Sequence, residues 1–205
     1  MYKNFFKRVF DFLLSLCALI ALSPLLIVFI IVGAIVMRGN PFFTQERPGK
    51  DEKIFKLIKF RSMSNLKDKN GNLLPDEQRI TSYGEFIRKT SIDELPELFN
   101  ILNGDMAIVG PRPLLVKYLP YYTERERIRH TVRPGLTGLA QIRGRNNLDW
   151  DPRLASDVEY VENLSLINDI KIILATVVKV FRKEDVSSIG AFTVKDLDEE
   201  RKGKV

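Results

Sequence analysis

The stretch Phe12–Met37, FLLSLCALIALSPLLIVFIIVGAIVM, contains no charged residue over 26 consecutive positions. An α-helix of that length is long enough to cross the roughly 30 Å hydrocarbon core of a bilayer. The stretch exceeds the apolar region of a typical signal peptide, and no small-x-small cleavage site follows it. It therefore predicts a membrane helix, and hydropathy alone favours a single span.

A serine–proline pair divides this stretch near its middle. Pro24 has no backbone N–H, and its ring crowds the carbonyl group of Ile20, so that carbonyl needs another partner. The hydroxyl group of Ser23 is a candidate for that partner. Each arm is roughly 18–20 Å long as a helix, which is too short to cross the bilayer but long enough to enter one leaflet and return.

Positive residues flank both ends of the stretch, and the positive-inside rule therefore expects both ends in the cytoplasm. A helix–break–helix that enters and leaves by the same face satisfies this expectation and the proline break. A kinked spanning helix satisfies only the break, and the residues alone leave both topologies open. The flanking residues are Lys3, Lys7, Arg8, Arg38, Arg47 and Lys50.

The 205 residues carry a net charge of +6, with 45% hydrophobic and 28% charged residues. This composition is that of a folded protein with enough chain for one sizeable core. A basic surface suits nucleic acid, phosphorylated ligands or anionic lipid, and charge alone does not choose among them. The single cysteine and single histidine exclude an internal disulfide and the usual zinc sites.

The rest of the chain predicts an α+β fold that is mainly helical, with a small β element. Residues 41–63 look extended around the turn signal Arg47–Pro48–Gly49, and a strand here would place Lys59 and Arg61 on one face. Apolar residues at helical spacing predict further helices. These helices cover residues 78–90, 96–102, 114–130 and 166–182, with Gly104 well placed to end the second.

The segment SIDELP, Ser91–Pro96, holds two adjacent carboxylates just ahead of a predicted helix. With Asp93 as the N-cap, the helix takes Pro96 at its third position, and Glu94 adds a favourable charge near the positive helix end. The alternative is chemical, because an ionised aspartate can attack phosphorus or bind Mg2+, which prefers oxygen ligands. On these residues alone the capping interpretation is favoured.

Short motifs follow one another along the chain, and this ordered series resembles that of the bacterial sugar transferases, the monotopic phosphoglycosyl transferases. A single motif would be weak evidence, whereas the series covers about residues 1–190. The short chain resembles the small PglC-type members of protein glycosylation pathways. The motifs are Ser23–Pro24, Phe43–Thr44–Gln45, Arg47–Pro48–Gly49, Lys59–Met63 (KFRSM), Asp93–Leu98 (DELPEL), Asn100, Gly104–Asp105–Met106, Val109–Pro113 (VGPRP), Arg133–Gly138 (RPGLTG), Gln141 and Gly144–Arg145–Asn146.

The resemblance implies a ping-pong sugar-phosphate transferase. Asp93 would attack the β-phosphate of a UDP-sugar, release UMP and carry a covalent phosphosugar, which polyprenol (undecaprenyl) phosphate would then accept. Mg2+ would lie at the acidic pair, with Glu94 as metal ligand or base. The residues expected to bind phosphate or substrate are Lys59, Arg61, Arg88, Arg112, Arg133, Thr137, Gln141 and Arg145.

Three regions are implied as well. Residues 1–38 would form a re-entrant membrane helix broken at Ser23–Pro24, residues 39–190 a cytoplasmic catalytic domain with amphipathic helices at the membrane interface, and residues 191–205 a mobile tail. The expected location is the bacterial inner membrane, with its phospholipid as a partner and no nucleic acid. The likeness to PglC-type members implies an N-acetylated aminosugar donor such as UDP-diacetylbacillosamine.

Two positions depart from the family pattern, and two rival functions remain. Leu139 stands where many members carry tryptophan and Arg143 where asparagine is common, and both are expected to affect sugar or nucleotide preference. One rival is a non-enzymatic, membrane-anchored basic protein for lipid or nucleic acid, which predicts that Asp93→Asn is harmless. The other is a polytopic transferase acting through a ternary complex, against which the single apolar segment argues.

Overall fold

The long apolar stretch forms one helix, and shorter helices and two small sheets follow it in a computed structural model that describes residues 1–144, 148–182 and 195–203. The helices described are α1 (Lys7–Val36), α2 (Asp76–Arg79), α3 (Ser82–Lys89), α4 (Glu97–Asn103), α5 (Glu124–Arg127), α6 (Leu139–Arg143), α7 (Trp150–Glu162), α8 (Leu166–Arg182) and α9 (Leu197–Glu200). The strands are β1 (Phe42–Pro48), β2 (Ile54–Phe60), β3 (Ala107–Val109) and β4 (Gly135–Thr137). Short 3₁₀ segments cover Lys50–Glu52, Ile92–Glu94, Val116–Tyr121 and Ile128–Thr131, and a π-helical turn, Tyr2–Phe6, precedes α1. A mainly helical α+β fold with a long apolar N-terminal helix is therefore confirmed.

Helix α1 continues through the serine–proline pair at which the sequence predicts a break. The Oγ atom of Ser23 donates a hydrogen bond to the carbonyl oxygen of Ile20 at 2.8 Å. That carbonyl is the one that the missing N–H of Pro24 would have bound, so the hydroxyl group compensates and the helix is not forced to end. Among the described residues, α1 is the one helix whose length and hydropathy would suit a membrane span.

Both halves of α1 pack against the rest of the protein. Near its start, Arg8 donates to two carbonyl oxygens at the C-terminal end of α4, at 2.5 and 2.7 Å. Near its end, the carbonyl oxygen of Phe29 accepts from the hydroxyl group of Tyr83 at 3.0 Å. Leu19 and Leu26 lie between these points and are buried in the main apolar core. The opposite face is apolar and exposed, and it includes Phe10, Leu13, Leu14, Ile20, Ile27, Val28, Ile31 and Ile35.

The two sheets are small, and each has two strands. Strands β1 and β2 pair antiparallel, with Phe43 opposite Lys59, so the extended structure expected for residues 41–63 is confirmed up to the end of β2. Arg61 lies one residue beyond β2, and the strand alternation expected to pair it with Lys59 ends before it. Strands β3 and β4 pair parallel. Gly104 follows α4 in a left-handed conformation with φ 91°, as expected for the residue that ends this helix.

The C-terminal residues 195–203 are docked on the domain, whereas the sequence predicts a mobile tail. Leu197 is fully buried beside Trp150, whose indole N–H donates to the carbonyl oxygen of Lys195 at 2.8 Å. Arg201 binds both carboxylate oxygens of Glu126, at 2.7 and 2.8 Å. The buried side chain of Leu197 and the bidentate ion pair of Arg201 thus hold in place a segment for which the composition predicts no ordered structure. The remainder of the predicted tail lies outside the described residues.

The one histidine of the chain predicts a pH dependence of stability. Burial, followed by the positive charge of Arg129, lowers the pKa of His130 to about 3. Between about pH 6.5 and 3 the unfolded chain therefore binds a proton that the folded protein does not. The free energy of unfolding should decrease as the pH falls through this range, by up to about 1.4 kcal/mol per pH unit. Thermal unfolding of the protein and of His130→Gln at several pH values tests this. Equal acid sensitivity of the two proteins would contradict the expected effect.

Candidate active site

The acidic pair lies in the 3₁₀ turn Ile92–Glu94 that leads into α4. Ser91, just before it, has a left-handed backbone with φ 56° and ψ 17°, which costs a residue with a Cβ atom about 1–2 kcal/mol. Helix α4 begins only after Pro96, and no side chain in the described part of the protein caps its N-terminus. The interpretation of Asp93 as a helix cap is therefore wrong, because the chain turns through a separate 3₁₀ segment first.

Glu94 is held between two cations from distant parts of the chain. Its Oε1 atom accepts from Lys59 Nζ and from Arg112 Nη2, each at 2.7 Å. Burial opposes ionisation of this carboxyl group, but the charges and hydrogen bonds of Arg112 and Lys59 outweigh it and hold the pKa of Glu94 well below its usual range. Glu94 is therefore ionised at any physiological pH, and its position is fixed.

A third carboxylate lies behind this pair. Glu97, the first residue of α4, is buried, and Lys59 Nζ lies 3.1 Å from its Oε1 atom, so the one ammonium group bridges two glutamates. Burial and then the negative charge of Glu94 raise the pKa of Glu97 to about 7. Glu97 belongs to the ordered series of motifs, but the sequence predicts no role for it, since its proximity to Lys59 exists only in the folded protein.

Asp93 contrasts with its neighbour, because no hydrogen bond to its carboxylate is found in the described part of the chain. Burial and then the charge of Glu94 raise its pKa to about 6. At neutral pH the group is thus mostly ionised but still basic enough to act as a nucleophile towards phosphorus. The cations that limit the rise in its pKa are Lys59, Arg88 and Arg112.

Asn100, on α4, fixes the strand that carries Lys59. Its Oδ1 atom accepts from the backbone N–H of Ile58 at 3.0 Å, and its Nδ2 atom donates to the carbonyl oxygen of Lys56 at 2.8 Å. The buried amide thereby occupies the free edge of β2 and ties it to the helix that follows the acidic pair. Asn100 lies in the ordered series of motifs, yet no role was predicted for it, because its partners are more than 40 residues away.

Asn100→Leu should lower the activity of this site by about tenfold or more, because it frees the strand that positions Lys59 and leaves two backbone groups unpaired. Each unpaired buried group also costs about 1–3 kcal/mol of stability. Asn100→Asp keeps the oxygen that accepts from Ile58. Its activity and melting temperature should therefore lie between those of the unmodified protein and those of Asn100→Leu. The control is Asn103→Leu, at the end of the same helix. An Asn100→Leu protein with normal kinetics would refute this positioning role.

Arg112 is the more exposed of the two cations that bind Glu94, with 41% of its side chain exposed. Pro111 and Pro113 restrict its backbone, as the sequence predicts. Its carbonyl oxygen accepts from Arg129 Nη2 at 2.6 Å, and Arg129 pairs at 2.9 Å with Asp157, both side chains being only 2% exposed. This buried ion pair anchors the segment that presents Arg112, and neither of its members carried a recognisable signal in the sequence.

The other predicted substrate residues are not joined to the carboxylates by any contact among the described residues. Arg133 Nε donates to a carbonyl oxygen at the C-terminal end of α4 at 2.6 Å. Thr137 shares a 2.7 Å hydrogen bond with a threonine of α8, and Gln141 Nε2 donates to a backbone oxygen of strand β4 at 3.4 Å. The side chain of Arg61 makes no hydrogen bond to the described residues, and Arg145 lies outside them. A role for these five in substrate binding stays a prediction.

The described residues contain no group of three or more His, Cys, Asp or Glu side chains arranged to hold a metal ion. Mg2+ nevertheless binds proteins through one or two carboxylates when substrate phosphates supply further oxygens. The unpaired carboxylate of Asp93 and the Oε2 atom of Glu94, to which no described donor is bonded, fit that mode. Lys59 and Arg112 occupy only the other oxygen of Glu94.

Sequence comparisons point to one family. The family described as "Bacterial sugar transferase" matches residues 2–183. The chain is 48% identical over 188 residues to the uncharacterized sugar transferase EpsL of Bacillus subtilis, covering 91% of this chain and 93% of that protein. It is 40% identical to the undecaprenyl-phosphate galactose phosphotransferase of Salmonella typhimurium, and 40% identical to the UDP-glucose:undecaprenyl-phosphate glucose-1-phosphate transferase of Klebsiella pneumoniae. These two alignments cover 89% and 86% of this chain but only 42% and 40% of those proteins.

Proposed function

Because the chain belongs to the bacterial sugar transferase family, we propose that it transfers a sugar 1-phosphate from a UDP-sugar to polyprenol phosphate at a membrane. The observation that carries this proposal is the contrast within the acidic pair. Glu94 is locked between Lys59 and Arg112, while the carboxylate of Asp93 beside it is partly exposed and accepts no hydrogen bond from the described residues. A free nucleophile next to fixed cations is what attack on a diphosphate requires.

The proposed reaction has two displacements at one phosphorus atom. A carboxylate oxygen of Asp93 forms a bond to the β-phosphorus of the UDP-sugar, and the bond from that phosphorus to the bridging oxygen breaks. UMP leaves with the bridging oxygen and its electron pair. A phosphate oxygen of the polyprenol phosphate then attacks the same phosphorus, which breaks the bond to Asp93, restores the carboxylate and yields polyprenyl diphosphosugar.

Fixed positive charge is the main contribution of the protein in this scheme. A carboxylate that approaches a diphosphate meets strong repulsion, and Lys59 and Arg112 lie where they reduce it. Arg112 is exposed enough to contact a phosphate while it keeps its bond to Glu94. Mg2+ held by Asp93 and Glu94 would supply further charge neutralisation at the leaving phosphate.

The donor sugar is best sought among UDP-hexoses first. The names of two relatives specify galactose and glucose, whereas the predicted N-acetylated aminosugar rests on the likeness to PglC-type members. The test is UMP release by the purified protein from a panel of UDP-galactose, UDP-glucose and UDP-linked N-acetylated aminosugars, with Mg2+ and without any lipid acceptor. Release with at least one donor supports a covalent first step, and release that strictly requires polyprenol phosphate excludes it.

We further propose that α1 is re-entrant: it bends at Pro24 without ending, and both of its ends lie on the cytoplasmic face of the inner membrane. Support comes from the contacts of its two halves, since Arg8 and Phe29 both bind the same domain. A Cβ atom added at Gly33 would lie 2.8 Å from the hydroxyl oxygen of Tyr83, so the packing is close there as well. If this helix of about 45 Å crossed the bilayer, the polar domain packed along it would have to enter the hydrocarbon with it.

Cysteine labelling tests this topology. In a Cys17→Ser background, Lys3→Cys and Lys50→Cys should both react with a membrane-impermeant maleimide in inverted inner-membrane vesicles, and neither should react in intact spheroplasts. Lys67→Cys, in the loop between β2 and α2, marks the cytoplasmic side as the control. Reaction of the two flanking positions from opposite sides would establish a spanning helix instead.

A further inference from the structure

An apolar cavity of about 300 Å³ lies between the start of α1 and the helix α8. This α1–α8 cavity is lined by Tyr2, Phe10, Leu14, Ile108, Ile170 and Ile173. It is separate from the acidic pair, and the proposed chemistry gives it no role.

The ionisable groups beside the cavity already form hydrogen bonds and ion pairs within the protein. Asp169 Oδ2 accepts from Tyr2 and from Lys7, at 2.7 and 2.8 Å, and its Oδ1 accepts from Tyr160 at 2.8 Å. Asp11 accepts from a backbone N–H of β3 at 3.1 Å and pairs with Lys7. These oxygens are engaged within the protein, so the cavity offers carbon surface and suits a hydrocarbon ligand.

The mouth of the cavity is surrounded by the exposed apolar faces of two helices. Phe10 and Leu14 on α1, and Ile170 on α8, line the cavity and are 41–50% exposed at the same time. Further along α8, Leu174 and Val178 continue this apolar surface. A hydrocarbon chain in the adjacent bilayer can therefore enter without crossing water.

Strand β3 connects the cavity to the acidic pair. Ile108 and Val109 line the cavity, and Arg112, three residues after Val109, binds Glu94 at 2.7 Å. Three residues of extended chain span at most about 10 Å. We propose that the α1–α8 cavity binds the isoprenoid chain of the polyprenol phosphate acceptor close to its phosphate end. This inference rests on the proposed function, since only a lipid acceptor needs such a site.

The size of the cavity fits a short segment of such a chain. A closed apolar cavity of about 150 Å³ holds one benzene molecule, so about 300 Å³ accommodates on the order of two isoprene units. A phospholipid acyl chain is the competing occupant. The isoprenoid chain is favoured because the phosphate it carries must reach Arg112, whereas a structural phospholipid has no reason to lie beside β3.

The test compares tryptophan substitutions one helical turn apart on α8, in the full chain purified in nanodiscs. Ile170→Trp fills the cavity, and Leu174→Trp changes an exposed residue that does not line it. We expect Ile170→Trp to raise the KM for polyprenol phosphates of three or more isoprene units by about tenfold or more, and to leave the KM for a one-unit phosphate unchanged. Leu174→Trp should have little effect on either. Leu14→Trp, from the opposite wall, serves as a second filling variant if Ile170→Trp does not fold.

UMP release in the absence of acceptor separates the two proposals. The cavity site is supported if two results are found together. Ile170→Trp and Leu174→Trp both release UMP normally, and only the variants that fill the cavity lose the dependence of KM on the chain length of the polyprenol phosphate. Equal KM values in all variants, or equal losses in Ile170→Trp and Leu174→Trp, would overturn it and leave the transferase proposal intact. Inhibition by dodecyl phosphate that matches inhibition by an isoprenoid phosphate, and that both cavity variants abolish, would assign the cavity to any acyl chain. If the unmodified protein releases no UMP from any donor, the proposed function itself fails.

Discussion

Replacement of Asp93 by asparagine is expected to reduce UMP release by at least about a thousandfold and to abolish covalent labelling of the protein. The amide has nearly the same shape as the carboxylate but is a poor nucleophile towards phosphorus, so folding should be preserved while the first displacement is lost. With a UDP-sugar that carries radiolabel in its β-phosphate, the unmodified protein should retain label after denaturation. Proteolysis should then place that label on the peptide that contains Asp93.

Asp76→Asn is the matched control for this experiment, because Asp76 is an exposed carboxylate that pairs with Arg79, away from the acidic pair. It should retain both activity and label. Activity close to normal in Asp93→Asn would exclude Asp93 as the nucleophile and indicate a different one. Loss of label with UMP release retained would exclude the covalent step but not the overall transfer.

Replacement of Lys59 by methionine is expected to have the second largest effect, a decrease in kcat of about 100- to 1,000-fold. The ammonium group is bound to Glu94 and Glu97 at once, and its loss leaves two carboxylates without their shared partner. Methionine keeps the length of the aliphatic chain. The pH dependence should change too: Lys59 lowers the pKa of Asp93, so its removal raises that pKa, and the acidic limb of the rate profile should move to higher pH.

Lys56→Met is the control for this substitution, since Lys56 lies on the same strand with its side chain exposed. It should leave the rate and the pH profile unchanged. UMP release is measured over a range of pH for both variants, with circular dichroism to confirm that each is folded. A lower rate in Lys59→Met with an unmoved acidic limb would mean that Lys59 acts on the substrate and not through Asp93.

The comparison of Glu94 with Arg133 indicates how far sequence reasoning reaches. Both residues stand in recognisable motifs, and both were predicted to lie at the site. Glu94 meets Lys59 and Arg112, which are 35 and 18 residues away in the chain, whereas Arg133 binds a backbone oxygen at the far end of α4. Order along the chain gives no distance between motifs, so it does not predict which of these residues contact one another in the folded protein.

The helix cap is a case in which local reasoning was misleading. Asp93 has the residue type and spacing of an N-cap, and the free energy of capping, about 1 kcal/mol, is comparable to many tertiary effects. The left-handed Ser91 and the separate 3₁₀ turn override it. Packing of this turn against β2 and α3 decides where the carboxylate lies, and those contacts are not local.

The sequence alone determined that the chain has a long apolar helix near its N-terminus and a mainly helical fold. The ordered motifs that identify the family were likewise readable from the sequence alone. Hydrophobicity and short-range order reside in neighbouring residues, so they can be recognised without a fold. The sequence likewise indicated Ser23 as the partner of the carbonyl group that Pro24 leaves free. Only the tertiary structure decided that both halves of α1 pack on one domain and that one lysine joins two glutamates. Those results depend on contacts between distant segments and on burial, which changes the free energy of a charge according to where the fold places it.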